Sequence, residues 1–487
     1  MALTNQRKNQ HLLWRAGFGP AVEQTEDLVS YQPRQFFRSL TKASANDFRP
    51  LTLADGAVDG LMMGLEEAGR LQKGELSAEE KKKFQQASRE GIRSLNLAWI
   101  REMVNSAAQL REKAAFFWHG HFACRNLNVF YQQGLLDIIR QYALGDFRTM
   151  LKEVSRSAAM LNFLNNQQNR KDHPNENFAR EVMELFTLGR GHYTETDVKE
   201  AARAFTGWGA NLKGEFVFRR FQHDGGSKTL LGKTGNFDGE DVLNILLEQP
   251  QTARFIAAKA YRFFVNEQPD EGRIDWLAAR FFASDYSISG LLEDIFTSDW
   301  FYEERHMGTR IKSPVELVVG IQRLLPMTIE NEEALILVQR VLGQVLFYPP
   351  NVAGWPGGRN WIDSSSLMMR MRLPQLINDQ AEMPMRPKDD DDQMMGRRNA
   401  DRLGEEGRTR IPARQQINAR VNWDPWFKAL QKWKREQLVQ AMTGLVLQSG
   451  HPPDPALILQ YADASSREAF IRSATIRLMC TPEYQLC

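Results

Sequence analysis

Apolar side chains recur at spacings of three and four residues through most of this chain, and that period admits little besides packed helices. Over 84–118 the stripe runs through Ile92, Leu95, Leu97, Trp99, Ile100, Met103, Val104 and Leu110, which predicts one long amphipathic helix. The pattern continues over 135–142, 147–161 and 178–188, and Gly189 follows the last as a helix-ending residue does. Thr194-Glu195-Thr196-Asp197 opens another helix in capping-box style, with Asp in place of the usual Glu. Val198, Ala201, Ala202 and Phe205 form its inward stripe, and Gly207 closes it. Further helices are expected over 239–249, 251–266, 423–447 and 465–478. Ser313-Pro314-Val315-Glu316 is a full start signal of cap, proline at the first position and glutamate at the third, so Glu316 reads as a capping carboxylate.

Extended structure is signalled only locally. Residues 214–221 alternate as a strand would, His223-Asp224-Gly225-Gly226 is a turn, and 227–231 can return as its partner. The fold class expected is mainly α, a multi-helical globular protein with a small β-hairpin insertion near 214–232. Residues 1–380 form its main body. Residues 381–412, with the run Lys388-Asp389-Asp390-Asp391-Asp392 and few apolar side chains, read as a charged mobile insertion. Residues 413–487 supply helices packed onto the body. The segment Phe347-Tyr348-Pro349-Pro350-Asn351-Val352-Ala353-Gly354-Trp355-Pro356-Gly357-Gly358 is too rich in Pro and Gly for a helix, and Trp355 and Trp361 predict an ordered loop held against the body.

A formal charge of +2 over 487 residues, with no basic stripe interleaved with aromatics, disfavours nucleic acid as a partner. No apolar run approaches the roughly 20 residues that span a bilayer. The start of the chain is polar and shows no Sec-type signal. Three cysteines make neither a disulfide framework nor a zinc knuckle.

Candidate chemistry is concentrated at 175–189. On a helix, Asn177, Arg180, Glu181 and Glu184 share one face, opposite Phe178, Val182, Leu185 and Phe186. An amide, a guanidinium and two carboxylates together suit a metal, an acid/base pair or a charged ligand, and equally a solvated helix face. His119 and His121 form a His-x-His pair of the kind that recurs in metal sites. On a helix they point about 200° apart, so either a break at Gly120 brings both to one site or only one reaches it. Two nitrogens are too few, so Glu181 or Glu184 would have to complete the set. The ordinary alternative is an aromatic core in which each imidazole bonds a backbone carbonyl. His223, Asp224, Lys228 and Lys233 are either an anion site or turn formers. Arg203 is either a surface cation or a partner for the Glu181/Glu184 face. No phosphate loop, dinucleotide fingerprint, nucleophile elbow or H-E-x-x-H is present.

Taken together, these segments resemble the bacterial family known as domain of unknown function 1800. The resemblance rests on His11-Leu12-Leu13-Trp14-Arg15-Ala16-Gly17-Phe18-Gly19, Phe117-Trp118-His119-Gly120-His121-Phe122, the 175–189 stretch, 193–208, 223–232, Ile311-Lys312-Ser313-Pro314-Val315-Glu316 and 349–357. It carries no assigned reaction. It implies genes that often neighbour those of a sulfatase-like family with twin-arginine export signals, and hence a partner at the cell envelope. The chain would then stay in the cytoplasm or leave with that partner.

The leading expectation is a metal-assisted hydrolase acting on a polysaccharide or a sulfate or phosphate ester. Its catalytic groups would be Glu181, Glu184, Arg180 and His223. Asn177, Arg203, Lys228 and Trp355 would bind substrate, and His119, His121 and Glu181 would hold a divalent ion of unknown identity. The alternative is a non-enzymatic scaffold or maturation partner of the sulfatase-like envelope protein.

Overall fold

The computed structural model describes residues 3–45, 48–51, 77–211, 213–381 and 416–487. The expected insertion at 381–412 lies, Ala381 apart, outside these residues. The described chain is mainly helical, and its strands pair into three two-stranded antiparallel ribbons.

The periodic segments fold as their spacing requires, with some breaks. The 84–118 stretch is two helices, α2 (Ala78–Asn105) and α3 (Gln109–His121). The Gln109 side-chain amide donates to the carbonyls of Met103 and Ser106, each at 2.9 Å, which holds the corner between them. α3 is the hub. Leu110, Ala114, Ala115, Phe116, Phe117 and Trp118 are all buried, and the helix packs on α1 (Asn5–Ala16), α2 and α4 (Val129–Tyr142), the last of which packs in turn on α5 (Phe147–Arg156). A helix apolar nearly all round belongs at a centre rather than a surface. α3 also carries Glu112, 1% exposed, which accepts from Arg140 Nε and Nη2 and from the Trp99 indole at 2.9 Å.

The start signals are built as read. Thr194 caps α7 (Glu195–Ala204), exchanging hydrogen bonds with Asp197 at 3.2 and 2.9 Å. Ser313 caps the helix Pro314–Leu324, with Glu316 closing the box onto the Ser313 amide at 2.8 Å. Gly320 of that helix is where Trp14 crosses: a Cβ there would stand 2.5 Å from the indole.

The extended segment differs from expectation. Residues 216–218 do not pair with 227–231. Instead β1 (Trp208–Ala210) pairs with β2 (Phe216–Phe218), and β3 (Lys228–Leu230) pairs with β4 (Lys233–Gly235). Leu231 and Gly232 both have positive φ, the two-residue turn that suits the twist of a tight hairpin. Two small hairpins therefore stand where one was expected. α7 receives the second: Asp197 accepts from Leu231 N at 2.8 Å and Glu200 from Thr229 N at 3.1 Å.

The third ribbon pairs β5 (Met327–Ile329) with β6 (Ala419–Val421). Beyond it, the C-terminal helices pack on the body. Trp426 donates to the Leu324 carbonyl at 2.7 Å and Gln10 to that of Gly444 at 2.7 Å. Among the described residues no helix is long and apolar enough to cross a membrane.

Candidate functional site

The stretch 175–189 is not one regular helix. α6 (Glu176–Glu181) runs into a π-turn at Val182–Thr187, where Leu188 N bonds the Met183 carbonyl five residues back at 2.9 Å. Such widened turns are uncommon and often mark functional positions. Widening frees backbone carbonyls, and four in and after the turn receive side chains. Thr187 Oγ1 donates to Val182 O at 2.7 Å, Lys259 Nζ to Leu185 O at 3.0 Å, His121 Nε2 to Phe186 O at 3.2 Å and Gln251 to Leu188 O at 3.0 Å.

The two imidazoles are both engaged, on opposite sides of α3. His121 has its Nε2 on Phe186 O, and its Nδ1 accepts from Lys259 at 3.1 Å, so no lone pair is left for a metal. His119 points to the other side of α3, into a cage of Trp99, Phe347 and Trp355 with ring centroids 5.1–5.5 Å away. Its Nε2 accepts the Phe347 amide at 3.3 Å. Helix continuity through Gly120 keeps the pair apart. Burial holds the His119 pKa down to about 3, and burial with the Lys259 charge holds His121 well below the usual range. Lys259, pushed to about 8 by burial, forms no ion pair among the described residues.

The acidic face is likewise engaged. Arg180 holds Glu195 through two bonds of 2.8 and 2.7 Å and Glu176 at 3.1 Å. Glu184 accepts from the Tyr193 hydroxyl at 2.6 Å and from Arg190 at 2.7 Å, which keeps its pKa below the carboxylate norm. Asn177 caps the Leu164 carbonyl at 3.1 Å. Glu181 alone on this face has no hydrogen-bond or ion-pair partner among the described residues. Burial first, then the Glu184 charge, raises its pKa.

The hairpin residues form a separate polar knot. Arg203 binds Asp224 at 2.7 Å and Glu200 at 2.9 Å, so of the two readings offered by sequence it is a cation paired away from Glu181 and Glu184. His223 Nδ1 bonds the Thr206 carbonyl at 3.0 Å, and Lys228 donates to the carbonyls of Asp224 and Gly226. Trp355 lies on His119 rather than beside any of these. Among the described residues no three His, Cys, Asp or Glu side chains gather in a way that could hold a metal ion. The proposed ligand set of His119, His121 and Glu181 therefore does not match the geometry.

Gly354 shows how the Pro/Gly loop is seated. Its φ is +81°, and a Cβ there would meet the Gly120 carbonyl oxygen at 2.6 Å. Gly354→Ala should cost at least about 1–2 kcal/mol in urea unfolding, because left-handed backbone and a clash act together. A change near zero would show that the loop is not held against α3.

Several partners in these networks carry no motif. Lys259 lies 138 residues from His121 in sequence, and Tyr193 and Arg190 look like ordinary loop residues.

Comparison with known families bears out the resemblance. A family model described as a protein of unknown function (DUF1800) matches residues 11–486, and this chain belongs to that family. No curated protein and no solved structure matches it.

Proposed function

We propose that this chain is a non-catalytic partner protein, a scaffold or maturation factor. It would dock through the face around its first hairpin onto the sulfatase-like protein that the family resemblance implies. One observation carries this reading: Phe221, in the short turn between β2 and β3, leaves 73% of its surface in water. The turn is fixed, since Lys171 N donates to the Gln222 carbonyl at 2.8 Å. That bond brings the exposed Arg170 and Lys171 alongside Arg220, and none of the three forms an ion pair among the described residues. A rigid aromatic anchor with an unpaired basic rim suits an acidic surface bearing an apolar pocket. Most of the groups expected to do chemistry, Glu181 apart, are engaged in bonds to carbonyls, in ring contacts or in internal ion pairs, which supports this reading.

The test is binding to a purified sulfatase-like protein of the kind that the family resemblance implies. Phe221→Ala should weaken it by about 2 kcal/mol, roughly thirtyfold in Kd, with unfolding unchanged because the ring is exposed. Failure of that protein to bind, or equal binding by the variant, overturns the reading.

A second reading, the hydrolase acting on a polysaccharide or a sulfate or phosphate ester, is favoured by Glu181. A partly buried carboxyl with a raised pKa, beside a Glu184 with a lowered one, is how acid and base roles are divided in hydrolytic sites. Loss of a measured hydrolytic activity in Glu181→Gln, with the fold intact, would establish it.

A further inference from the structure

We infer that a cleft among the C-terminal helices binds a neutral saccharide. It lies between the end of the helix Ser364–Asn378, the helix Pro455–Tyr461 and the helix Arg467–Met479, and is an open depression of about 440 Å³. That volume falls in the range of small-molecule sites. It is far in sequence from the π-turn and the hairpins, and the inference is independent of the partner-protein reading.

The lining chemistry selects the ligand. Tyr461 stands at the rim with 59% of its surface exposed, and the Arg477 guanidinium lies over its ring, 5.7 Å from the centroid. Asp463 is pinned, its amide donating to Ser473 Oγ at 2.8 Å and its carboxylate accepting from Ser465 N at 2.9 Å. The Gln375 and Glu468 side chains line the cleft with no partner among the described residues. Like Glu181, and unlike the other groups around the π-turn, these are available.

Three carboxylates, from Asp379, Asp463 and Glu468, face two guanidiniums, from Arg472 and Arg477. A phosphate or sulfate would meet an excess of negative charge, and an apolar ligand would strand the polar wall. A pyranose answers both conditions. Its C–H face covers an aromatic ring, and its adjacent hydroxyls donate and accept at once, as amide, carboxylate and guanidinium groups together require.

The test is titration calorimetry of the full chain with cellobiose, maltose, mannobiose and diacetylchitobiose. At least one should bind at millimolar concentration. Tyr461→Ala and Glu468→Gln should each weaken it roughly tenfold or more, with unchanged thermal unfolding because both side chains are exposed. No binding by any of the four, binding indifferent to both variants, or preferential binding of a short acidic peptide would each overturn the inference.

Discussion

Lowering the pH from 7 to 5 should destabilise this fold by about 2 kcal/mol through His119 alone, with further loss in the same direction from other buried histidines. His119 is 2% exposed, and its pKa is held at about 3 by burial among Trp99, Phe347 and Trp355. An unfolded histidine titrates near 6.5. Below that value the unfolded chain takes up a proton that the folded chain refuses. The stability is therefore fully present above about 6.5 and drains away as the pH falls toward 3. His11, buried against Phe301, and His121, bonded to Phe186 and Lys259, are held well below their usual range and act with the same sign. His306 joins them, held at about 4 by burial and by Arg305 and Arg273. Urea midpoints at the two pH values measure the effect, and His119→Phe should remove about 2 kcal/mol of the difference. Midpoints that coincide would mean that these imidazoles are open to solvent protons.

Removing the Glu316 carboxylate should cost about 3–5 kcal/mol, the usual penalty for breaking a buried ion network from one side. Glu316 is 1% exposed and receives Lys113 and Arg310 as well as the Ser313 amide. Lys113 is wholly buried and its pKa has fallen to about 8 even with this partner, burial being the cause. The cap alone accounts for about 1 kcal/mol. Glu316→Gln retains an amide oxygen for the box but leaves an ammonium and a guanidinium without an anion, so most of the loss should persist in it. Chemical unfolding of the Ala and Gln variants separates the two contributions. A Gln variant within 1 kcal/mol of wild type would reduce Glu316 to a cap.

What could be read from the sequence was local. The Thr194–Asp197 and Ser313–Glu316 boxes and the Gly189 stop depend on neighbours a few residues away, and each formed as its pattern dictates. The corner between α2 and α3 did not show, because Ser106, Ala107 and Ala108 include good helix formers and the break is held by the Gln109 side chain. The first hairpin was misread because its partner strand, Trp208-Gly209-Ala210, directly follows a helix and is too short to show alternation. The candidate site was misassembled for a longer-range reason. Helical geometry alone offered the divergence of His119 and His121. That Lys259 and the π-turn carbonyls would claim His121 depends on contacts no pattern announces. Glu316 likewise read as a cap, since Lys113 lies 203 residues before it.

The central claim is that His119, His121 and Glu184 are engaged by the fold and do not converge with Glu181 on an ion. Elemental analysis after equilibration with zinc, manganese and magnesium followed by dialysis tests it most directly. The account predicts no stoichiometric metal in the wild type. About one ion per chain, lost from a His119→Ala, Glu181→Ala double variant that keeps its helical circular dichroism, would contradict it.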